Sequence, residues 1–317
     1  SDDTVALGTI TLRNVEYNAN GPDNVYSNTL KKSPCIAWHA DSTWVLEDCN
    51  FYNYNWFALT WYECNSDVTV RNCNFGGDDN YANALTAVGI TNVGSWRTSS
   101  TLTIEDSILR AGAWGALDMK AGDLPGPGLG SHDVTITDSL LLSNSDTAYN
   151  HSSVRGKNWA NNAWGLDGTM NIHMMDPGGS YTVTNCDIVN LNETREGQAI
   201  QVYPSTNTTV LIKNTNVIAN YTAFGYTDAG TTSGMGTYTS NYNNAYVSNT
   251  TGTLYSDLWT SSNDVNADPD YTDLASGSTL YDNTAALGSA GEGGTYIGSS
   301  ADLMSQVPVE LMTFSVE

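Results

Sequence analysis

The sequence predicts an all-β solenoid, a coil of short parallel strands with three strands in each turn. One eight-residue pattern recurs along the chain, a second apolar element follows most copies, and no stretch keeps a helical apolar period over three turns. A coil supplies the crossover that parallel strands need. We predict about seven to nine turns. We expect the coil at residues 1–260, a Gly- and Asp-rich closing segment at 261–306, and a C-terminal strand or linker at 307–317.

The eight-residue pattern occurs in seven ungapped copies. Positions one and three are apolar, position five is Asn or Asp, position six is small or sulfur-bearing, and position eight is apolar or aromatic. This predicts two strands around a corner, because Asn and Asp tolerate a left-handed backbone. The copies are ITLRNVEY from Ile10, WVLEDCNF from Trp44, VTVRNCNF from Val68, LTIEDSIL from Leu102, VTITDSLL from Val134, YTVTNCDI from Tyr181 and VLIKNTNV from Val210.

The second element supplies the third strand of each turn. Its copies begin at Cys35, Ala58, Ala84, Ala116, Ala199 and Ala223. One set of side chains is expected to face the core, namely Leu59, Leu85, Leu117 and Ile200. The alternate set then faces outward at equivalent positions: Thr60, Thr86, Asp118 and Gln201, followed two residues later by Tyr62, Lys120 and Tyr203. The longest insertions are expected on one side of the coil, at 76–99, 122–131 and 144–180.

The pattern apolar-x-apolar-x-Asn-x-x-apolar resembles that of the right-handed parallel β-helix proteins of the pectate-lyase-like superfamily, over about residues 5–247. The resemblance implies a right-handed coil but leaves activity open, because lyases, hydrolases, epimerases, tailspikes, adhesins and binding proteins share this fold. The segment VPVELMTFSVE, from Val307, resembles the linker before the sorting domain of type IX secretion substrates in Bacteroidota-like bacteria. We therefore expect a secreted bacterial protein, extracellular or at the cell surface.

The charge balance excludes several classes of partner. The chain has 11 Lys and Arg against 34 Asp and Glu, a net charge of −23. This charge repels phosphate backbones and anionic lipids, so we expect no nucleic-acid binding. We also expect no membrane insertion, because no apolar run of about 18 residues is present. Neutral glycans, polysaccharides and cations remain as partners.

Lyases of this superfamily need a base near a sugar C5 and a cation or Arg to neutralise the uronate carboxylate. Asp118 and Lys120 have this chemistry, and strand geometry places them about 7 Å apart on one face. As a site, Asp118 holds the cation and Lys120 is the base; the alternative is a surface ion pair of little energetic weight. Arg155 and Lys157 either join this site, with Lys157 as the base, or only hold a long loop.

One pair of acidic residues is a candidate for metal binding. Asp78 and Asp79 either ligate Ca²⁺ with nearby carbonyls or form a solvated turn. We expect no other cofactor, since the 4 His share no metal-binding spacing. Cys49, Cys73 and Cys186 occupy position six, where stacked free thiols are favoured over a disulfide because side chains of successive turns point the same way.

Two further sets of residues suggest contact with carbohydrate. The candidate sugar-stacking residues are Trp96, Trp114, Trp159, Trp164 and Tyr203, although loop tryptophans also pin their own loops. The candidate glycosylation sites are the Asn-x-Ser/Thr sequons at Asn150, Asn192, Asn207, Asn220 and Asn249.

The ends of a parallel coil carry unpaired backbone groups that accept an added strand. Enzymes of this superfamily usually cover the first turn with an amphipathic helix, whereas the residues before Ile10 predict a strand. We therefore expect a non-catalytic structural or adhesive protein whose copies self-associate into a fibre or surface array, end to end or through VPVELMTFSVE. The alternatives are an extracellular polysaccharide lyase acting by β-elimination and a carbohydrate-binding protein without catalysis.

Overall fold

The computed structural model describes residues 5–18, 35–38, 40–52, 57–62, 66–76, 86–92, 99–111, 115–121, 131–143, 168–174, 179–190, 198–203, 206–226, 235–269 and 287–299. These residues form a parallel β-helix, as the repeat predicts. Three sheets of nine, eight and eight strands run along the coil, and each strand pairs with its counterpart in the next turn.

The first sheet contains strand one of each turn: β1 (Val5–Arg13), β4 (Ala40–Glu47), β7 (Ser66–Arg71), β10 (Ser99–Glu105), β13 (Ser131–Thr137), β16 (Gly179–Thr184), β19 (Thr209–Lys213), β22 (Thr237–Asn241) and β25 (Thr260–Ser262). The second contains β2 (Glu16–Asn18), β5 (Asn50–Tyr52), β8 (Asn74–Phe75), β11 (Ile108–Ala111), β14 (Leu140–Ser143), β17 (Asp187–Asn190), β20 (Asn216–Ala219) and β23 (Asn244–Val247). The third contains β3 (Cys35–Trp38), β6 (Phe57–Tyr62), β9 (Thr86–Asn92), β12 (Gly115–Ala121), β15 (Gly168–Met174), β18 (Gln198–Tyr203), β21 (Thr222–Tyr226) and β24 (Thr253–Tyr255).

The corner between the first and second sheets is a single residue with a left-handed backbone. All seven position-five residues have positive φ, between 47° and 55°: Asn14, Asp48, Asn72, Asp106, Asp138, Asn185 and Asn214. The ladder of Asn and Asp predicted from the repeat is therefore confirmed. Two more corners follow at Tyr242 (φ 56°) and Asn263 (φ 57°), in turns that the repeat did not identify.

Position six adds a column of hydrogen bonds beside each corner. The N–H of Ser107 donates to Ser139 Oγ at 3.1 Å, and the N–H of Thr215 donates to Asn243 Oδ1 at 2.9 Å. The Ser139 hydroxyl in turn donates to the carbonyl of Thr137 at 2.7 Å. Small polar side chains at this position thus satisfy backbone groups that a corner removes from the ladder.

The core consists of apolar side chains from successive turns, stacked in register. Leu46, Val70 and Ile104 are adjacent position-three residues and are all fully buried. Cys49, Cys73 and Cys186 are buried free thiols, as predicted. Cys49 and Cys73 interact, and a hydrogen bond from Cys73 lowers the pKa of the Cys49 thiol to about 7, while the pKa of Cys73 is raised.

The third sheet corrects two predictions. Thr86 pairs with Phe57 and Gly115, so the residue in register with Asp118 is Gly89, three positions later. The segment Ala84–Ile90 fits the apolar alternation in two alignments, and the sequence pattern selected the wrong one. The predicted insertion at 144–180 also contains the strand β15. The sequence pattern missed this strand because its residues, GTMNIHM, do not resemble the Ala-Leu element of the other turns.

The C-terminal part docks on the outside of the second sheet. Asp187, fully buried on β17, accepts hydrogen bonds from the N–H of Ser299 at 2.8 Å and from the Ser299 hydroxyl. Asn216 donates to Asp187 and to the carbonyl of Ile297. Gly298 has φ 114° and lies where a Cβ would stand 2.5 Å from Asn216 Nδ2, so this contact requires glycine. The division of the chain at residues 260 and 306 stays a prediction.

Candidate functional site

The first turn presents an incompletely covered end of the core. Strand β1 pairs with β4 on one side, and no strand within the described ranges pairs with its other side. Ile10, Leu12 and Val15 pack against the core but are only partly buried. Tyr17, at position eight, is 39% exposed and is the one exposed large hydrophobic side chain in the described part of the chain.

The backbone of β1 offers donors and acceptors to this open side. In this coil the position-five N–H points toward the following turn, as Asn14 donates to the carbonyl of Glu47 at 3.1 Å. The residue before position one points the other way, as the N–H of Thr237 donates to Thr208 in the preceding turn. Backbone groups alternate along a strand, so those of Thr9, Thr11 and Arg13 face the open side.

A ladder of alternating charges leads to the same end. Glu47 binds Arg13 Nε at 2.5 Å and Arg71 Nη1 at 3.1 Å, and Arg71 Nε binds Glu105 at 2.7 Å. The hydrogen bond and charge of Glu105 raise the pKa of Arg71. Arg71 thus lies between two carboxylates, whereas the Arg13 side chain is 63% exposed and has a described carboxylate only on the side of Glu47. All four residues occupy position four, and the Arg-Glu-Arg-Glu order in the first four copies was the sequence signal for this ladder.

An aromatic column also ends at the first turn. Phe51 and Phe75 stack with ring centroids 5.0 Å apart and planes 5° apart. Tyr17 continues the column, with its centroid 6.5 Å from that of Phe51. The apolar core, the charge ladder, the aromatic column and the backbone hydrogen-bond ladder therefore all end at β1 and β2.

The other end of the coil is closed by the chain itself. Trp259 is 7% exposed and packs edge-on against Phe224 and Tyr238, with centroids 4.9 and 5.8 Å away. Its indole N–H donates to the carbonyl of Gly225 at 3.2 Å. Asp264 accepts the Tyr255 hydroxyl at 2.7 Å, and burial, together with this carboxylate, raises the pKa of Tyr255. The two ends of the coil are therefore different surfaces.

A second candidate lies on the third sheet, where register aligns Asp118, Asn171 and Gln201 on adjacent strands. All three are buried, with exposures of 3%, 0% and 2%. The Asn171 amide is held by Gly168, whose N–H and C=O it contacts at 3.1 and 2.9 Å. Asp118 is thus a buried carboxylate, and its pairing with Lys120 stays a prediction.

The next row of this sheet joins two residues predicted separately. Lys120 pairs in register with His173, and His173 pairs with Tyr203. Sequence reasoning missed His173 and Asn171 because their strand was placed in a loop. The remaining catalytic, sugar-stacking and Ca²⁺ candidates lie outside the described residues: Arg155, Lys157, Trp96, Trp114, Trp159, Trp164, Asp78 and Asp79.

Three of the five sequons fall in described segments. Asn207 is exposed in a turn, which suits modification. Asn220 accepts the hydroxyl of Ser248 at 2.8 Å, and Asn249 accepts the N–H and hydroxyl of Thr251, the Thr of its own sequon. Asn150 and Asn192 lie outside the described residues.

Two negative findings apply to the described ranges only. No three His, Cys, Asp or Glu side chains come together there as potential metal ligands. No helix there has the length and apolar character that crossing a bilayer requires.

Comparison with protein-family models, with curated proteins and with solved structures gives no match to this chain.

Proposed function

We propose that this chain is a secreted structural or adhesive β-helix protein of the pectate-lyase-like superfamily that self-associates through its first turn at the cell surface or outside the cell. The observation that carries the proposal is the difference between the two ends. Within the described residues both β1 and β25 are edge strands, but the far end covers its core with Trp259, whereas the first turn leaves Ile10 and Leu12 partly buried and Tyr17 exposed.

The physical argument concerns what an added strand gains at β1. It pairs with the backbone groups of Thr9, Thr11 and Arg13 and covers Ile10, Leu12 and Tyr17. Burial of apolar surface contributes about 25 cal/mol per Å². A long, unprotected edge strand is an association site by default. The net charge of −23 opposes non-specific association of copies.

The test removes one backbone donor from each end. Thr11→Pro deletes an N–H that faces the open side of β1 and leaves the β1–β4 ladder intact. Ser261→Pro is the matched control, since by the same alternation its N–H faces the outer side of β25, the last strand of the first sheet. Negative-stain microscopy and light scattering are compared for the wild type and both variants.

We expect regular filaments or oligomers of the wild type and of Ser261→Pro, and monomers of Thr11→Pro. Thermal unfolding checks that all three remain folded. A wild type that stays monomeric at all concentrations, or a Thr11→Pro variant that assembles normally, overturns the proposal.

A second function is favoured by one observation, the in-register rows of Asp118, Asn171 and Gln201 and of Lys120, His173 and Tyr203. The residue types in these two adjacent rows, a carboxylate, two amides, an amine, an imidazole and a phenol, are those used in polysaccharide binding and in β-elimination at a uronic acid. Absorbance near 235 nm with alginate or pectin tests catalysis. Loss of activity in both Asp118→Asn and Lys120→Gln, with unchanged thermal unfolding, would support it; product formation by both variants would remove the assigned roles.

A further inference from the structure

We propose that residues 307–314 of one copy form an additional turn on β1 and β2 of the next copy. This inference deepens the proposed function and rests on it. The segment VPVELMTF lies outside the described residues, and its sequence matches the eight-residue pattern of the coil at positions one, three, six and eight.

The match extends over the positions that carry contacts. Val307 and Val309 occupy the apolar positions one and three, as Trp44 and Leu46 do in WVLEDCNF. Glu310, Met312 and Phe314 correspond to Glu47, Cys49 and Phe51. The segment therefore resembles the repeat at its apolar positions and at position four, although it lies far from the other copies in the sequence.

One position departs from the pattern. Leu311 stands at position five, where the seven copies have Asn or Asp. A left-handed backbone costs a residue with a Cβ about 1–2 kcal/mol. The coil tolerates this cost at Tyr242, which occupies the same corner position with φ 56°.

The charges are complementary in this register. In the coil, position-four residues of successive turns lie side by side, and Arg71 binds a carboxylate from the turn on either side. Glu310 at position four of a preceding turn lies beside Arg13 and supplies its second carboxylate. The ladder then reads Glu310, Arg13, Glu47, Arg71 and Glu105, with every neighbour of opposite sign.

The aromatic column continues in the same register. Phe314 at position eight lies against Tyr17, the exposed end of the stack formed with Phe51 and Phe75. Offset stacking of aromatic rings stabilises such contacts beyond the area they bury. The one exposed large hydrophobic side chain in the described ranges is thereby covered.

The proline fits only on the outside. At position two the backbone N–H points toward the preceding turn, as deduced from the directions of Asn14 and Thr237. If the segment pairs with the open side of β1, the N–H that Pro308 lacks would point away from β1, so no hydrogen bond to β1 is lost. Proline is tolerated at such edge positions and excluded from the interior of a sheet.

The reach of the chain assigns the segment to a neighbour. Ser299 is bound to Asp187 on β17, the sixth strand of the second sheet. A turn ahead of β1 lies six strand spacings away, about 29 Å along the axis. The eight residue steps to Val307 span at most about 29 Å. The axial distance alone uses the full length of these residues, and the chain would also have to cross from the second sheet to the first. The segment on β1 therefore comes from another copy.

The contact is heterologous, since the tail of one copy meets the first turn of the next. Repeated head to tail, such a contact generates an open filament when its rotation does not close into a ring. Each added copy exposes its own C-terminal segment and buries one first turn.

A charge exchange tests the register. Glu310→Arg and Arg13→Glu each place like charges side by side, whereas the double variant restores an opposite pair. We expect the critical concentration for filament formation to rise by about tenfold or more in each single variant and to return to within about threefold of wild type in the double variant. Thermal unfolding controls for damage to the first turn, because Arg13→Glu also faces Glu47.

A synthetic peptide of residues 305–317 provides a second measurement on the full-length chain. It is expected to cap filament ends and shorten filaments, and a peptide carrying Glu310→Arg is expected to be weaker by about tenfold. If the peptide does not shorten filaments and neither single variant changes the critical concentration, the tail assignment is wrong, whereas self-association itself remains supported. A double variant that is no better than the singles overturns the Glu310–Arg13 register. A wild type that never assembles overturns the proposed function itself.

Discussion

The carboxylate of Asp264 accepts the backbone N–H of Asn243 at 2.8 Å. Asp264 occupies position six of the last turn and closes the column of hydrogen bonds beside the corners. Its second oxygen accepts the hydroxyls of Ser240 at 2.6 Å and Tyr255 at 2.7 Å. One side chain of the last described turn thus satisfies a backbone N–H and two hydroxyls of the turn before it.

Asp264→Ala is expected to lower the free energy of unfolding by about 1–3 kcal/mol, because it leaves buried donors without an acceptor. Asp257→Ala, an exposed acidic residue in the same region, is the control and should change it by less than about 0.5 kcal/mol. Urea denaturation followed by circular dichroism measures both. Equal effects of the two substitutions would contradict the role of Asp264 as a cap.

Tyr242 is the one bulky residue among the described left-handed corners. Tyr242→Asn should raise the free energy of unfolding by about 0.5–1 kcal/mol, because Asn adopts this conformation at lower cost. Tyr242→Ala removes the ring and keeps a Cβ, so it should bring no such gain. The same urea titration distinguishes them, and a loss of stability in Tyr242→Asn would mean that packing of the ring outweighs the backbone strain.

The hydroxyl of Thr215 accepts the N–H of Cys186 at 3.3 Å and donates to the carbonyl of Lys213 at 2.9 Å. Thr215→Val keeps the shape and should cost about 1–3 kcal/mol, because a buried N–H loses its acceptor. Cys186→Val removes only a weak thiol donor at the same position of the preceding turn and should cost less. Val15 shows that position six accommodates valine. The comparison fails if both variants unfold at the same urea concentration.

The fold was predictable because a short local sequence pattern determines where each strand lies and where each corner forms. Asn or Asp at position five and apolar residues on either side identified seven corners, all of them left-handed in the structure. Tyr242 and Asn263 were missed because one corner lacks Asn or Asp and the other lacks the flanking apolar positions. At these two corners the side chains of Asn243 and Asp264 accept the position-six N–H groups of Thr215 and Asn243, as small polar side chains do in other turns.

The candidate sites were less predictable, because they depend on which turns stack. Asp118 was recognised by its chemistry, but its neighbours in the sheet were not. Gly89 was missed because the β9 segment was aligned three residues away from its true register. Asn171 was missed because its strand β15 was assigned to a loop. Arg13 and Glu47 are 34 residues apart and meet only because their turns are adjacent. Such contacts follow from the sequence only after the turns are aligned.

His132 on β13 is fully buried, and neither ring nitrogen has a hydrogen-bond partner within the described ranges. Burial lowers its pKa from 6.5 to about 4. Between these values the unfolded chain binds a proton that the folded chain does not, so stability falls as the pH is lowered through this window. The full loss is about 3 kcal/mol.

His132→Phe keeps a planar ring and removes the titration. The variant should therefore lose less stability than the wild type between pH 7 and pH 4, and the two curves should diverge below about pH 6.5. Urea denaturation at half-unit pH intervals measures the difference in free energy of unfolding between the two proteins. The contribution of the carboxylates is common to both and cancels in this difference. The substitution changes only the side chain and leaves the close backbone contact between His132 and Gly179 in place. Parallel pH curves for the two proteins would show that folding does not lower the pKa of His132.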